Sequence, residues 1–184
     1  MGDGTRAAGA LQTREALLDA GAALAEEHGL AGVSVNMVVA RAGVAKGTFY
    51  VHFSGRAAFV DAMHARFHLR VEAVIDEAIA GLPPGAERLL RGSEAYLDVS
   101  LANRGVKALS FEARFDPAAQ GSMQARRERL AAAGVADFEA MGWEDALAAA
   151  QLLAAMTREI SVLEFDAGQR LPAPRRALKR FLGI

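Results

Sequence analysis

Residues 34–53 read Ser-Val-Asn-Met-Val-Val-Ala-Arg-Ala-Gly-Val-Ala-Lys-Gly-Thr-Phe-Tyr-Val-His-Phe. Lys46, Thr48, Tyr50 and His52 all carry side-chain hydrogen-bond donors and fall within one short segment. Such a set suits recognition of oxygen acceptors better than covalent chemistry. Ser34 is expected to cap a helix that runs to about Ala42, and Gly43 to end it. A second short helix is expected from about Ala45 to His52. Apolar Val38, Ala42, Val44 and Phe49 would lock the two together, and Gly43 would permit the tight turn between them. That spacing suits a helix-turn-helix. Ala45 and Gly47 are small enough to let the start of the second helix approach a groove closely. Phe49 and Phe53 read as core. A phosphate-cradling loop is excluded, because the order is Lys-Gly-Thr rather than Gly-Lys-Thr and no strand precedes it.

Charge supports a nucleic-acid partner locally. The whole chain carries a net charge of −1, which alone argues against one. Between Glu27 and Asp61, however, no acidic residue occurs, and Arg41, Lys46 and Arg56 give the proposed DNA-facing segment +3. Arg170, Arg175, Arg176, Lys179 and Arg180 give residues 169–184 a further +5, so the rest of the chain carries −9. Phosphate attraction follows the local field rather than the average. The C-terminal basic run reads as the solvated face of a terminal helix.

The elements that must position this segment are helical. Among 184 residues, 52% are hydrophobic and only five are proline. No window alternates as a strand would, and helical spacing recurs throughout. Leu17, Leu18, Gly21, Leu24 and Ala25 mark a first helix over about 11–28. Val60, Met63, Phe67, Val71, Val74 and Ala78 stripe a long one that Ser54 would cap and Gly81-Leu82-Pro83-Pro84-Gly85 would break. Further helices are expected at about 86–102, 106–115, 119–141, 144–167 and 173–182. The chain thus divides into residues 1–53, three short helices, and residues 54–184, a larger bundle. There is no cysteine, which excludes disulfides, thiolate metal sites and a Cys nucleophile. The first thirty residues hold no apolar run of the signal-peptide kind. The stretch Ala146–Met156 is too short to span a bilayer, so a cytoplasmic protein without membrane contact is expected.

The segment 13–60 closely resembles the N-terminal domain of the TetR family of bacterial transcriptional regulators. The resemblance rests on Ala42-Gly43-Val44, Lys46-Gly47-Thr48-Phe49-Tyr50, His52-Phe53, Arg56 and Phe59. It covers about a quarter of the chain. It implies an all-α fold of about nine helices, a homodimer, and a ligand-binding C-terminal domain. Carried over by position, Ser34, Lys46, Tyr50 and His52 would contact phosphates. Ala45, Gly47 and Thr48 would meet base edges, and Arg14 with the preceding tail would reach phosphates or the minor groove. Two features depart from the family pattern: Val39 stands where a small Ala is usual, which would alter the angle of the second helix, and Ala57 and Ala58 stand where acids are frequent.

The resemblance implies a ligand-responsive regulator, a repressor released from a palindromic operator by a small, largely apolar effector. Candidate effector contacts are His64, Phe67, His68, Tyr96, Leu97, Leu101, Phe111, Phe115, Met123, Phe138, Trp143 and Met156, an apolar set with few polar groups. Two helices from each subunit would form the dimer interface. Ala146, Ala150, Leu153, Thr157, Ile160 and Glu164 would come from one, and Ala177, Leu178, Phe181 and Leu182 from the other. The rival use of that face is packing inside the monomer. Asp61, His64 and His68 lie at i, i+3 and i+7, a spacing that also suits metal ligands, but no second carboxylate helix accompanies them. No Ser-His-Asp elbow or dinucleotide fingerprint is present, so neither catalysis nor a metal or other cofactor is expected. A DNA-binding protein that answers to a protein partner instead of an effector is the third reading.

Overall fold

The structure is a computed structural model that describes residues 3–29, 32–112, 125 and 128–184. Among the described residues there are nine helices and no strand: α1 (Asp3–His28), α2 (Val35–Ala42), α3 (Lys46–His52), α4 (Arg56–Ile79), α5 (Ala86–Ala102), α6 (Arg104–Glu112), α7 (Val135–Ala140), α8 (Ala146–Ala167) and α9 (Pro172–Phe181). Residues 128–133 are also helical. The all-α expectation holds. The chain forms two compact units. One comprises Met1–His68 with Gly105–Phe111, and the other Leu69–Arg104 with Glu112–Ile184.

The first unit is built on α1. This helix begins at Asp3, well before the expected start near residue 11, and so is long rather than short. Residues 7–12 are exposed, so they carry no apolar stripe that would have marked them as helical. The expected face is correct: Leu17, Leu18, Leu24 and Ala25 are buried. Gly21 sits where α4 crosses, and a Cβ there would lie 2.5 Å from the Phe59 ring and 2.9 Å from Met63 Sδ. Phe59, Met63 and Phe67 of α4 fill the other side of this core. Arg66 of α4 reaches back to Glu15 at 3.0 Å and Asp19 at 2.8 Å on α1.

Residues Gly105–Phe111 of α6 complete the first unit. The Gly105 N–H donates to Glu26 Oε1 at 2.6 Å, so a carboxylate satisfies one of the unpaired donors at a helix start. The approach is close because Gly105 has no side chain: a Cβ would stand 2.4 Å from the Ala25 carbonyl carbon and 2.5 Å from Glu26 N. Backbone cannot yield there as a side-chain tip can. Gly105→Ala is therefore expected to destabilise the protein by about 1–3 kcal/mol, the usual penalty of overpacking. Chemical denaturation checks this, and an unchanged midpoint would refute the close approach.

The second unit packs α5, α7 and α9 around α8. Leu89, Leu90 and Leu97 meet Phe138, Ala149, Ala150, Leu153, Ile160 and Leu178 in its core. Asp137 is buried, and its Oδ1 accepts from Gly85 N–H at 2.9 Å at the start of α5. Arg104 closes the other end of α8. Its Nη2 donates to the Phe165 carbonyl at 2.7 Å while the guanidinium stands 5.1 Å from the Phe165 ring centre.

Three expectations are corrected in this unit. The face of α8 assigned to a dimer is the unit's own core: Ala146, Ala150, Leu153, Thr157, Ile160 and Glu164 are all buried within the chain, as are Leu178 and Leu182 after it. Secondly, Arg175 is not solvated. It is 5% exposed and bonds Glu164 at 2.7 and 2.8 Å, with Asp98 2.7 Å away. Thirdly, the apolar stretch does not end at Met156. Helix α8 is long and apolar enough to cross a membrane by length and composition, yet one side of it, Glu164 included, is buried in this unit. The expected helix at 119–141 is seen only in part, since residues 113–124, 126 and 127 lie outside the described residues.

Candidate nucleic-acid interface

Helices α2 and α3 meet as the spacing requires. Ser34 precedes α2 in extended conformation and its hydroxyl accepts from Met37 N–H at 3.3 Å. Gly43 closes the helix at φ 68°, a left-handed conformation that favours glycine, and its N–H turns back to the Val39 and Ala40 carbonyls. Val38 and Val39 point into the core of the unit. The Val44 N–H bonds Val39 O at 3.1 Å and thereby sets the turn.

Phe49 holds α3 in place. It is fully buried, with ring centres of Phe53 and Phe59 at 5.4 and 5.3 Å. Arg14 of α1 stacks its guanidinium 5.2 Å from the Phe53 ring centre and lies 3.6 Å from Glu15. Arg14 therefore ties α1 to the end of α3. Arg56 Nε donates to the Val33 carbonyl at 2.9 Å and joins the start of α4 to the entry of α2.

With Phe49 inward, the helical turn of 100° per residue decides the outward face of α3. Lys46, Gly47, Tyr50 and Val51 are exposed, and Ala45 just before the helix is too. Thr48 and His52 are half-buried at the edge of that face rather than at its centre. Val51, 79% exposed, has no place in the sequence-derived set. By residue type alone, an apolar side chain beside Phe49 and Phe53 reads as core.

The charge of this face is also corrected. Arg41 is exposed, but it makes a bidentate ion pair with Glu27 at 2.7 Å in both contacts. Hydrogen bonding by Arg41 holds the Glu27 carboxyl below its ordinary value, against a smaller opposing effect of burial. Counting Glu27 with the segment lowers its charge from +3 to +2, because Glu27 stands just outside the acid-free interval and folds back onto it.

The effector candidates fall in both units. His64 and His68 are half-buried in the first, with Nε2 atoms 2.8 Å apart, and Phe67 is buried beside them. In the second, Leu97 and Phe138 are fully buried core residues, Tyr96, Leu101 and Met156 are half-buried, and Trp143 packs edge-on to Phe138 at 5.2 Å. Phe115 and Met123 lie outside the described residues, as does the side chain of Phe111, whose backbone belongs to α6. Among the described residues no group of three metal-ligating side chains converges, so Asp61 does not join His64 and His68.

A two-helix motif with a left-handed glycine turn and a core-anchored second helix defines a helix-turn-helix DNA-binding domain. Residues 17–63 match the family model described as "Bacterial regulatory proteins, tetR family". The match covers the helix-turn-helix segment, so residues 17–63 are a TetR-type DNA-binding domain. Its fold is similar to that of a transcriptional regulator from Rhodococcus sp. Rha1, at 23% identity and a TM-score of 0.79, over 92% of this chain and 94% of that one. It is similar as well to a TerR/AcrR-family regulator from Aquifex aeolicus, at 19% identity and TM-score 0.68, over 93% and 98%. The reduced form of E. coli NemR matches at 19% identity and TM-score 0.71, over 94% and 96%. No curated protein is similar to the chain in sequence.

Proposed function

We propose that this regulator is a cytoplasmic repressor that binds a palindromic duplex operator as a homodimer and leaves it when a small, largely apolar effector binds. No catalytic step belongs to this reading. Residues 1–53 serve DNA binding, and residues 54–184 serve effector binding and dimerisation. The observation that carries the DNA assignment is the outward face of α3, held rigidly by buried Phe49. Lys46, Tyr50, His52 and Ser34 contact phosphates, Ala45, Gly47 and Thr48 meet base edges, and Arg14, braced on Phe53, reaches a phosphate from α1. Tyr96 and Met156, half-buried against the core of the second unit, are the proposed effector contacts. An effector that favours the DNA-incompetent state releases the operator by shifting the population.

For the dimer we take the exposed flank of α8, about 100° round the helix from the face its sequence suggested. Leu152 is 58% exposed and Leu163 43%. They stand eleven residues, or three turns, apart on one face.

The experiment that tests this reading is duplex binding by wild type and by the double variant Lys46→Ala/Tyr50→Ala. The probe is a duplex enriched from a random pool by the full-length protein. The variant is expected to bind at least tenfold more weakly, with a salt slope reduced by about one for the lost lysine contact. Equal affinity and equal slope would sink the assignment.

A further inference from the structure

Two residues on the outward face of α3 are unexplained by the chain itself. Gly47 lies in ordinary helical conformation, since it is not among the glycines of positive φ. A Cβ at Gly47 would meet nothing within 4 Å. Neither backbone geometry nor packing asks for glycine here, and glycine weakens a helix. Val51, one turn further on, is 79% exposed. A β-branched residue gains nothing from that position, because it is a mediocre helix former and buries little. Residues at i and i+4 are neighbours on a helix surface, so the two form one small apolar patch. It lies beside the ridge formed by Lys46 and Tyr50, on a helix of only seven residues that can least absorb such choices.

We propose that this patch reads the 5-methyl group of a thymine in the major groove, with Val51 packing against the methyl and Gly47 letting the α3 backbone come close enough. The inference rests on the DNA-binding assignment above and deepens it. The major groove admits a helix, and the thymine methyl is the apolar mark on its floor. A valine meets that mark by contact rather than by hydrogen bonding. Lys46 and Tyr50, together on the adjoining ridge, suit phosphate oxygens. The side chain that a polar code would need at position 51 is absent, and the residue that would hold the backbone away at position 47 is also absent.

The test uses the full chain and the duplex it enriches from a random pool. Each thymine is replaced in turn by uracil, which removes the methyl and nothing else. At one symmetric pair of positions the uracil duplex is expected to bind wild type about fourfold more weakly per methyl, the worth of one buried carbon. Val51→Ala is expected to bind thymine and uracil duplexes alike. Gly47→Ala is expected to bind at least tenfold more weakly while its thermal midpoint does not fall, a combination that a purely structural glycine would not give. Indifference of wild type to every uracil, or a uracil effect that persists in Val51→Ala, overturns the inference and leaves DNA binding standing. Failure to enrich any duplex overturns both.

Discussion

Glu164→Ala is expected to destabilise the second unit by about 3 kcal/mol, because it removes the bidentate partner of a buried guanidinium and leaves it only Asp98, at 2.7 Å. Glu164 is 1% exposed and Arg175 5%. The pair is bidentate, at 2.7 and 2.8 Å, and Glu164 Oε1 also accepts from Leu171 N–H at 2.9 Å. One carboxylate thus joins α8, the α8–α9 connection and α9. Trp143 is the only tryptophan and lies in this unit, so its fluorescence follows the unfolding in urea. A double variant, Glu164→Leu/Arg175→Met, is expected to recover most of the loss, since buried pairs are replaceable by apolar residues of similar volume. A single variant as stable as wild type would show that Arg175 finds other compensation.

The same pair gives the unit a pH dependence of defined sign. Burial raises the Glu164 carboxyl, but the hydrogen bonds of Arg175 and Leu171 and the charges of Arg175 and Arg170 outweigh it and hold the carboxyl below its ordinary value. The folded value is therefore lower than the unfolded one. The stabilisation is complete above the usual carboxylate range and is lost as pH falls through the folded value. The gap between wild type and Glu164→Ala is expected to be constant near neutrality and to narrow only in acid.

What was legible in the sequence follows from range. Ser34 and Gly43 act on their own neighbours, so the bounds of α2 and the turn were readable. The stripes of α1 and α4 are helical periodicities and were readable too. The partner of a helix face is a long-range fact. The buried face of α8 was correctly grouped, but nothing local distinguishes packing on its own chain from packing on a second copy. The same limit hid the ion pairs. Glu164 precedes Arg175 by eleven residues and Asp98 is further still, beyond any i, i+4 rule, so the basic run looked solvated. Glu27 and Arg41 belong to different helices, and their pairing could not be counted from a charge tally. In α3 the helical angle alone would have put Val51 outward once Phe49 was fixed inward. Its apolar type points the opposite way, toward the core, and in α3 the angle decides.

Phe49→Ala is expected to abolish duplex binding while Trp143 keeps its native emission. The side chain is fully buried, and truncating such a phenylalanine removes about 3–5 kcal/mol of packing and leaves a cavity. The loss falls on an element with little else to hold it. Helix α3 has seven residues and its N-cap residue, Ala45, offers no side-chain bond, and a helix this short is not stable alone in water. Its anchors are Phe49 and Phe53 against Phe59, with rings 5.0–5.4 Å apart, and Arg14 over Phe53. Without Phe49, the outward residues Lys46, Gly47, Tyr50 and Val51 lose their common orientation even where each remains present. Phe49→Leu keeps most of the volume and is expected to retain binding with a smaller loss of stability. Gel-shift titration on the enriched duplex, beside chemical denaturation of both variants, makes the comparison. Wild-type affinity in Phe49→Ala would mean that the duplex itself orders α3, and would overturn the view that the aromatic cluster presets the interface.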